Sequence, residues 1–519
     1  MREILLTSSK ERCGTARTTA MKKAYLCFAL LTLSLGVACS NGTNVPPGNG
    51  NFSVSSLKGQ YVYQIAGTDV GAGQPYRQTG VFSADGSGHI TTETDDFCEG
   101  GTCGQNTNTG TYSILNDGTG TMSFGNSTAS FNFAITLLST SKVYLISTDV
   151  ANSAGIGELQ SSTAIPSGTY AVRFHNVITP AGSEGKVGVF TVAGGSITGG
   201  AVDVNLGGIV DGGTGNPFSV TGGSFSTPSS TGRGTGSISD SSGATASFIY
   251  YVVDANNIRF LSSDSGVTGS GRAEMQTGGP FTAASLANGY AFASRGDDDS
   301  SIAIGTVTTV GSFVSNSTGT ITGGTYDSVV DGNSFYNISF SGGSYTMSSN
   351  GRAPITLNIS TGGSFQHLFW MVNPTRAFFL TSLDPADTLS VEDGVATQQQ
   401  TSSFSNSSLN GQYAFVMHGY DLNPIPSTLV DRVGWIQWDG NGNLNLSEFI
   451  SANGSTSKSP ILTGTYSVSA SGRATATVNN LSYNPGDIVL YLISPTDAYM
   501  LENDPDVQII GATSKQISP

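Results

Sequence analysis

The chain carries little charge for its length, and most of that charge is acidic. Charged residues make up 11% of 519 residues, with 21 Lys and Arg against 36 Asp and Glu and a formal net charge of −15. No run of basic residues follows Lys23. A protein that binds nucleic acid needs a basic face to displace counterions from phosphates, so nucleic acid is excluded as a partner.

Residues that favour helices are also scarce, whereas glycine, with 69 copies, far outnumbers proline, with 18. Ser, Thr, Asn and Gly dominate the polar positions, and these residues suit strands and turns better than helix interiors. A hydrophobic content of 37%, with 9% aromatic residues, is too high for a disordered chain. The composition therefore predicts an all-β fold.

The N-terminal region has the layout of an export signal. Lys22 and Lys23 precede a short apolar run that ends at Cys39, and residues 21–38 are interpreted as a signal peptide. The stretch 35–39, Leu-Gly-Val-Ala-Cys, resembles the bacterial lipobox, which implies lipidation of Cys39 and a membrane anchor. By the same resemblance, Ser40 favours the outer membrane or cell surface of a Gram-negative bacterium. An ordinary signal peptide cut nearby is the alternative.

Two further segments flank this signal. Residues 1–20 match no part of an export signal, and we interpret Met21 as the true start of the protein. Residues 39–54 are rich in Gly, Asn and Pro and are expected to form a flexible tether. No later segment has 18 consecutive apolar residues, so no transmembrane helix is predicted.

The remainder is a fourfold repeat. The opening motif Ser-Leu-x-Gly-x-Tyr occurs at 56–61 and 408–413, with looser copies in between. An Asp-Gly hairpin signal follows it, and a glutamine closes each unit. The units span 55–160, 165–276, 281–399 and 404–516; their marker tyrosines are Tyr61, Tyr170, Tyr290 and Tyr413, and their closing glutamines are Gln160, Gln276, Gln399 and Gln516.

Each unit is predicted to contain about eight short antiparallel strands. Eight strands joined by turns favour a small up-and-down β-barrel, similar only in architecture to the avidin and lipocalin barrels. A β-sandwich is the alternative, followed by a propeller and a membrane pore. In the opening strand of unit four, Tyr413, Phe415 and Met417 are expected to face the core, and Ala414, Val416 and His418 the solvent.

The opening motif and the hairpin signal Asp-Gly-x-Gly also resemble those of uncharacterised tandem β-repeat lipoproteins of soil bacteria. The resemblance covers the whole chain after Cys39. That family has no assigned activity, so the resemblance implies the fold and adds no function.

Cys98 and Cys103 are the only cysteines after Cys39. In an exported chain they are expected to form a small disulfide. A metal site is the alternative, with His89 and the Asp95-Asp96 pair as the nearby ligands, but no metal and no cofactor are expected.

A polar pattern recurs in units two to four. An Arg follows Gly at the start of one strand, and an Asp ends a later strand. We expect each Arg to bind the Asp of its own unit, or a backbone carbonyl, at the end of the barrel. These residues are Arg233 with Asp264, Arg352 with Asp384, and Arg473 with Asp504.

No set of catalytic residues recurs with the fold. The histidines, His89, His175, His367 and His418, share no position common to all units, although His175 and His418 each follow their marker tyrosine by five residues. On the outward face both are expected to be solvated. Nucleophile elbow, zinc-protease, P-loop and dinucleotide motifs are missing.

The leading hypothesis is thus a non-enzymatic, lipid-anchored protein whose units bind an unknown extracellular or periplasmic ligand, adhere, or act as a spaced stalk. A carrier of small apolar molecules inside a barrel is the alternative, and it requires an interior cavity. A hydrolase with a site between units is the third.

Overall fold

The computed structural model describes residues 50–125, 130–149, 151–298, 305–384, 390–423, 427–481, 486–504 and 506–519. The predicted signal peptide, Cys39, most of the predicted tether and residues 1–20 lie outside the described residues. Within the described ranges the chain forms 34 strands and four short 3-10 helices.

The strands fall into four sequential groups. Barrel 1 contains β1 (Lys58–Asp69), β2 (Gln74–Asp85), β3 (His89–Glu99), β4 (Thr102–Ile114), β5 (Thr119–Gly125), β6 (Ser130–Ser139), β7 (Lys142–Ser147) and β8 (Ala151–Leu159). Barrel 2 contains β9 (Gly168–Ile178), β10 (Gly182–Ala193), β11 (Ser196–Leu206), β12 (Ile209–Val210), β13 (Phe218–Phe225), β14 (Arg233–Asp240), β15 (Thr245–Asp254), β16 (Asn257–Ser262) and β17 (Val267–Met275).

The second half of the chain repeats this order. Barrel 3 contains β18 (Asn288–Asp298), β19 (Gly305–Ser315), β20 (Thr320–Val330), β21 (Asn333–Tyr345), β22 (Arg352–Ile359), β23 (Ser364–Asn373), β24 (Arg376–Leu383) and β25 (Ser390–Gln398). Barrel 4 contains β26 (Asn410–Asp421), β27 (Thr428–Asp439), β28 (Asn443–Ala452), β29 (Ser455–Lys458), β30 (Leu462–Val468), β31 (Arg473–Val478), β32 (Gly486–Ser494), β33 (Asp497–Glu502) and β34 (Val507–Lys515). The 3-10 helices are Val54–Ser56, Asp211–Gly213, Ala283–Leu286 and Asn406–Ser408.

Every group is a closed antiparallel barrel of eight strands. In barrels 1 and 3 each strand pairs with the next, and the last strand pairs with the first. Barrels 2 and 4 close in the same way and carry one extra short strand, β12 or β29, beside the ring. The predicted all-β fold of four tandem up-and-down barrels is confirmed, and the sandwich alternative is wrong.

Side chains alternate between the barrel interior and the outer face, but both faces are largely buried. Tyr413, Phe415 and Met417 lie in the core of barrel 4, as expected. The prediction that the opposite face meets solvent is wrong, because Ala414 is fully buried and His418 is 6% exposed. Ala414 packs against Tyr144 of barrel 1. The outer face of one barrel is therefore covered by its neighbour.

Four apolar clusters, each formed by the outer faces of two barrels, join neighbouring barrels. Val62 and Val81 of barrel 1 pack with Tyr251 of barrel 2, and Val187 of barrel 2 packs with Trp370 of barrel 3. Barrel 3 meets barrel 4 through a third cluster, which includes Val310 and Tyr491. The fourth cluster returns from barrel 4 to barrel 1. The barrels thus form a closed ring, and the prediction of a spaced stalk is wrong.

The closing glutamines hold the ring together. The side-chain amide of each one donates to a backbone carbonyl of the next barrel in the ring, and the last one donates to barrel 1. The pairs are Gln160 with Val252 (2.5 Å), Gln276 with Met371 (2.7 Å), Gln399 with Leu492 (2.8 Å) and Gln516 with Leu137 (2.6 Å). The residue after each glutamine adds a backbone hydrogen bond to the same barrel, at Val253, Val372, Ile493 and Leu138.

We call this contact between a closing glutamine and another barrel a joint. It explains the recurring glycine before each strand-opening Arg. Gly232 has a φ of +76°, a conformation that favours glycine, and a Cβ there would lie 2.5 Å from Nε2 of Gln160. The equivalent glycines meet the other closing glutamines in the same way; they are Gly118, Gly351 and Gly472. The glycine therefore leaves the space into which the neighbour's amide inserts.

Candidate functional site

Cys98 and Cys103 are joined by a disulfide across the paired strands β3 and β4. Cys98 is fully buried in the apolar cluster between barrels 1 and 2. Its sulfur lies 3.1 Å from the carbonyl oxygen of Ser262 in barrel 2. The disulfide thus belongs to an interface between barrels as well as to its own hairpin.

The recurring arginines bind a partner other than the one expected. Arg233 makes two hydrogen bonds to Asp96 of the preceding barrel, at 2.6 and 2.7 Å. Asp264, its expected partner, instead accepts the backbone N–H of Ser247. The predicted pairing within one unit is therefore wrong, because the start of β14 faces barrel 1 across the joint.

The other two arginines repeat this arrangement. Arg352 binds Asp203 of barrel 2, with a shortest distance of 2.6 Å, and Arg473 binds Asp327 of barrel 3 at 2.6 Å. Asp504 accepts the backbone N–H of Asp487, and Asp384 lies buried near Glu392 in its own barrel. Each Arg therefore links its own barrel to the one before it.

An aromatic side chain completes each of these three junctions. The hydroxyl of Tyr251 donates to Asp96 at 2.6 Å, and Trp370 and Tyr491 donate to Asp203 and Asp327 at 2.6 and 2.7 Å. Each buried carboxylate thus receives a forked guanidinium and a ring donor, an arrangement that compensates its desolvation. The hydrogen bond to Asp96 raises the pKa of Arg233 above its ordinary value.

The fourth junction, between barrels 4 and 1, uses different chemistry. Thr119 and Thr136 are paired where the other barrels have Arg and an aromatic donor. On the facing strand Phe449 stands where the carboxylate would be. Lys458 bridges the two, with Nζ 4.9 Å from the centre of the Phe449 ring and 3.5 Å from the hydroxyl of Thr119. A cation–π contact therefore replaces the ion pair.

The histidines occupy four different environments. His175 is paired with Asp393 of barrel 3 at 2.8 Å, and His418 with Asp431 of its own barrel. The expectation that both are solvated is wrong for His418, which is buried, whereas His175 is only partly covered and its side chain is 20% exposed. His367 lies inside barrel 3, where burial lowers its pKa to about 3, and His89 sits on an exposed hairpin.

A cavity of about 190 Å³ lies inside barrel 2. Its wall is mostly apolar and comes from strands β9 to β17. Val172, Phe190, Ile197, Phe248 and Phe260 are among the lining residues. An apolar cavity of this size can hold a small organic molecule such as benzene.

The cavity exists because barrel 2 has small side chains where barrel 3 has aromatic ones. Tyr326, Phe340 and Phe365 form an aromatic trio inside barrel 3, with ring centres 4.9 to 6.4 Å apart. The strand registers place three smaller residues at the same positions of barrel 2, and all three line the cavity. These residues are Val202, Val220 and Ala246.

One end of this cavity is polar. Glu184 accepts a hydrogen bond from the amide of Asn176 at 2.8 Å and is paired with Lys186 at 3.0 Å. The carboxylate of Asp264, which the sequence pattern assigned to Arg233, also lines this end. The cavity can therefore take a molecule with an apolar body and a polar end.

Barrel 1 buries an acidic pair at the corresponding depth. Glu93 accepts hydrogen bonds from Tyr63 and Asn108, at 2.8 and 2.7 Å, and Asp95 lies beside it. Burial, with the charge of Asp95, raises the pKa of Glu93 to about 9. Both carboxyl groups are 0% exposed, so they are enclosed by protein rather than placed in a cleft.

The described part of the chain contains no group of three or more His, Cys, Asp and Glu side chains placed to hold a metal ion. It also contains no helix that is long and apolar enough to cross a membrane.

No protein-family model matches the chain, and no curated protein sequence does either. Among solved structures it is similar to a single mutant of the vaccine antigen Transferrin Binding Protein B from Haemophilus parasuis Hp5, with 9% identity and a TM-score of 0.19 over 76% of this chain and 84% of that one. A double mutant of the same protein gives 10% identity and a TM-score of 0.18 over 73% and 84%. Intact Ap-TbpB, with its N and C lobes, gives 11% and 0.17 over 72% and 83%. At these scores the similarity carries no functional conclusion.

Proposed function

We propose that the chain is an exported, lipid-anchored, non-enzymatic protein that binds a small, mostly apolar molecule inside barrel 2. The observation that carries this proposal is the cavity of about 190 Å³, which the aromatic trio fills in barrel 3. The cavity favours the carrier hypothesis over the adhesive one. Tyr336 is the only strongly exposed aromatic side chain among the described residues, so no exposed aromatic patch supports adhesion.

The size of the cavity sets the expected affinity. Apolar burial contributes about 25 cal/mol per Å², so a ligand that buries on the order of 150 Å² gains roughly 4 kcal/mol. That corresponds to a dissociation constant of about 1 mM for a purely apolar ligand. A hydrogen bond at the polar end, to Glu184 or Asn176, adds about 1 kcal/mol. We therefore expect ligands with one polar group to bind more tightly than benzene.

The anchor is proposed on the sequence alone. The lipobox-like stretch before Cys39 supports attachment to a membrane through an N-terminal lipid, on the outer membrane or cell surface. The polar stretch after it would act as a flexible tether that holds the ring off that surface. The disulfide between Cys98 and Cys103 is consistent with an oxidising compartment outside the cytoplasm.

The test is to fill the cavity. Ala246→Phe places in barrel 2 the side chain that Phe365 supplies in barrel 3, and it should abolish binding of benzene and phenol, measured by calorimetry. Thr198→Phe, on an exposed position of the same barrel, is the matched control and should bind like the wild type. Failure of the wild type to bind either compound at 10 mM (about ten times the constant derived above) would overturn the proposal. Equal binding by Ala246→Phe would do so as well.

A further inference from the structure

The centre of the ring holds a second cavity, of about 420 Å³, which is separate from the interior of barrel 2. Its wall comes from all four barrels, mainly from their first and last strands. Ala66 on β1, Arg173 on β9, Arg295 on β18 and Val416 on β26 represent the four opening strands. Most of these side chains are partly exposed, so solvent reaches the cavity.

Arginine is concentrated at this wall although the chain as a whole is acidic. Ten arginines lie between residues 50 and 519, and five of them line the central cavity. These five are Arg77, Arg173, Arg259, Arg272 and Arg295. Such a local excess of guanidinium groups is typical of a site for an anion.

Four of the five arginines already have partners. Arg173 is paired with Asp393 at 3.0 Å, and Arg77 donates to the carbonyl oxygens of Gly67 and Tyr76. Arg259 is paired with Glu158 and Arg272 with Glu274. Glu274 is also shared with Arg376, whose Nε lies 2.8 Å away.

Arg295 is the exception. Its guanidinium is half-buried in the cavity wall and makes no hydrogen bond and no ion pair within 4 Å with any residue in the described part of the chain. Its charge helps to lower the pKa of Asp393, but that carboxylate is already bound to Arg173 and His175. A half-buried, unpaired guanidinium has lost part of its hydration without a protein acceptor in exchange. An anion in the cavity would supply that acceptor.

The charges around Arg272 also favour an anion in the cavity. Burial, together with the neighbouring guanidinium groups of Arg259 and Arg376, lowers the pKa of Arg272 to about 9, even though the carboxylates of Glu274 and Glu158 act to raise it. Positive charge is therefore in excess around this part of the cavity. A bound anion would relieve the repulsion among the guanidinium groups.

Much of the rest of the wall is apolar, beside several polar side chains that include His175 and Asp393. Ile156, Val395, Val416 and Ile510 line the cavity together with several alanines and glycines. A bare inorganic ion would leave this surface in contact with water. An organic anion can cover it, and 420 Å³ lies in the range of sites for small organic ligands.

We propose that the central cavity binds an organic carboxylate, whose carboxylate group accepts hydrogen bonds from Arg295 and whose apolar body covers the aliphatic part of the wall. The site needs residues of all four barrels, so it exists only in the closed ring. It goes beyond the function proposed for barrel 2 and does not depend on it.

The test uses the full chain with 1-naphthoate and its uncharged analogue 1-naphthamide, measured by calorimetry at low ionic strength. We expect naphthoate to bind with one site per chain and at least about ten times more tightly than the amide. Affinity should fall as salt is added, because the attraction is partly electrostatic. Inorganic phosphate, the third probe, should bind more weakly than naphthoate.

Arg295→Met should lower the affinity for naphthoate about tenfold or more. This change leaves no protein group without a partner, so the melting temperature should stay close to that of the wild type. Lys58→Met removes one positive charge from an exposed position and should leave binding unchanged. Ala246→Phe should also leave it unchanged, which separates this site from the cavity of barrel 2.

Four results would overturn the proposal: no binding of naphthoate to the wild type at 10 mM (a ceiling set about tenfold above a millimolar constant), equal binding of the amide, equal binding of phosphate, or unchanged binding by a folded Arg295→Met protein. Loss of naphthoate binding in Ala246→Phe would place the ligand in barrel 2 instead.

Discussion

The side-chain amide of Gln516 donates a hydrogen bond to the carbonyl oxygen of Leu137, a residue 379 positions earlier in the chain. Three other glutamines make the same bond to the barrel that follows them in sequence. Gln516 belongs to barrel 4, and its partner lies in barrel 1. This non-covalent contact therefore joins two barrels that are not consecutive in the sequence, whereas a linker joins each of the other pairs.

Gln516→Ala should destabilise the ring more than an exposed substitution does. It leaves the carbonyl oxygens of Leu137 and Asp117 without this donor, at a cost of about 1–3 kcal/mol in the free energy of unfolding. Urea unfolding measures this change, and Gln105→Ala, on an exposed stretch of β4, is the control. If the two substitutions lower the free energy of unfolding equally, the hydrogen bonds of Gln516 do not stabilise the contact between barrels 4 and 1.

Removal of Arg352 should cost more than removal of any closing glutamine. Asp203 is fully buried and would keep only Trp370 as its side-chain donor in Arg352→Met. Removing one partner of a buried ion pair typically costs 3–5 kcal/mol. The double variant Arg352→Met, Asp203→Leu should recover much of this loss, as a thermal and urea double-mutant cycle would reveal. Additive losses would mean that the two residues do not act as a pair.

Thr119→Arg should not stabilise the fourth junction, although it restores the residue found in the other three barrels. The new guanidinium would face Phe449 and Lys458 instead of a carboxylate. The double variant Thr119→Arg, Phe449→Asp should be more stable than the wild type, because it restores the ion pair found at the other three junctions. Melting curves of the single and double variants provide the comparison.

His367 should make the protein sensitive to acid. Burial lowers its folded-state pKa to about 3, whereas an unfolded histidine titrates near 6.5. The unfolded state therefore binds more protons between these values, and stability is lost as the pH falls below 6.5, by roughly 1.4 kcal/mol per pH unit. His367→Phe, which places there the residue that Phe248 supplies in barrel 2, should remove this contribution. Urea unfolding between pH 7 and pH 4 tests it, and identical slopes for both proteins would contradict it.

Phe365→Ala should hollow barrel 3. The change removes the edge-on partner of Tyr326 and should cost about 3–5 kcal/mol. If enough of the fold survives, phenol should then bind at a second site and restore part of the lost stability. Calorimetric stoichiometry distinguishes one site from two.

The sequence predicted the fold well because a barrel is specified within each unit. Marker tyrosines, hairpin signals and alternating apolar residues are local features, and they identified four barrels of eight strands. The prediction that the outer faces meet solvent was wrong, although one pattern in the sequence indicated that they are buried. The stretch 365–371 of β23, Phe-Gln-His-Leu-Phe-Trp-Met, is apolar on both faces near its end, which is typical of a strand covered on two sides.

The partners of the recurring arginines required information from two units at once. Asp96, Asp203 and Asp327 occur in units one to three, whereas Arg233, Arg352 and Arg473 occur in units two to four. This offset of one unit is the signature of a contact between neighbours. A search for partners within each unit could not detect it. Neither cavity could be located from the sequence for a similar reason, since each depends on which positions face one another in space.

The fourth joint has a consequence for how many units such a chain can contain. Each joint consists of a closing glutamine and the glycine-bearing strand of another barrel, so a unit can accept any neighbour that carries that strand. A duplicated or deleted unit would therefore keep the glutamine joints, while the angle at which successive barrels meet would change. The number of barrels in the ring is then set by the angle between neighbours, and circular permutants cut at any of the three linkers should assemble the same molecule.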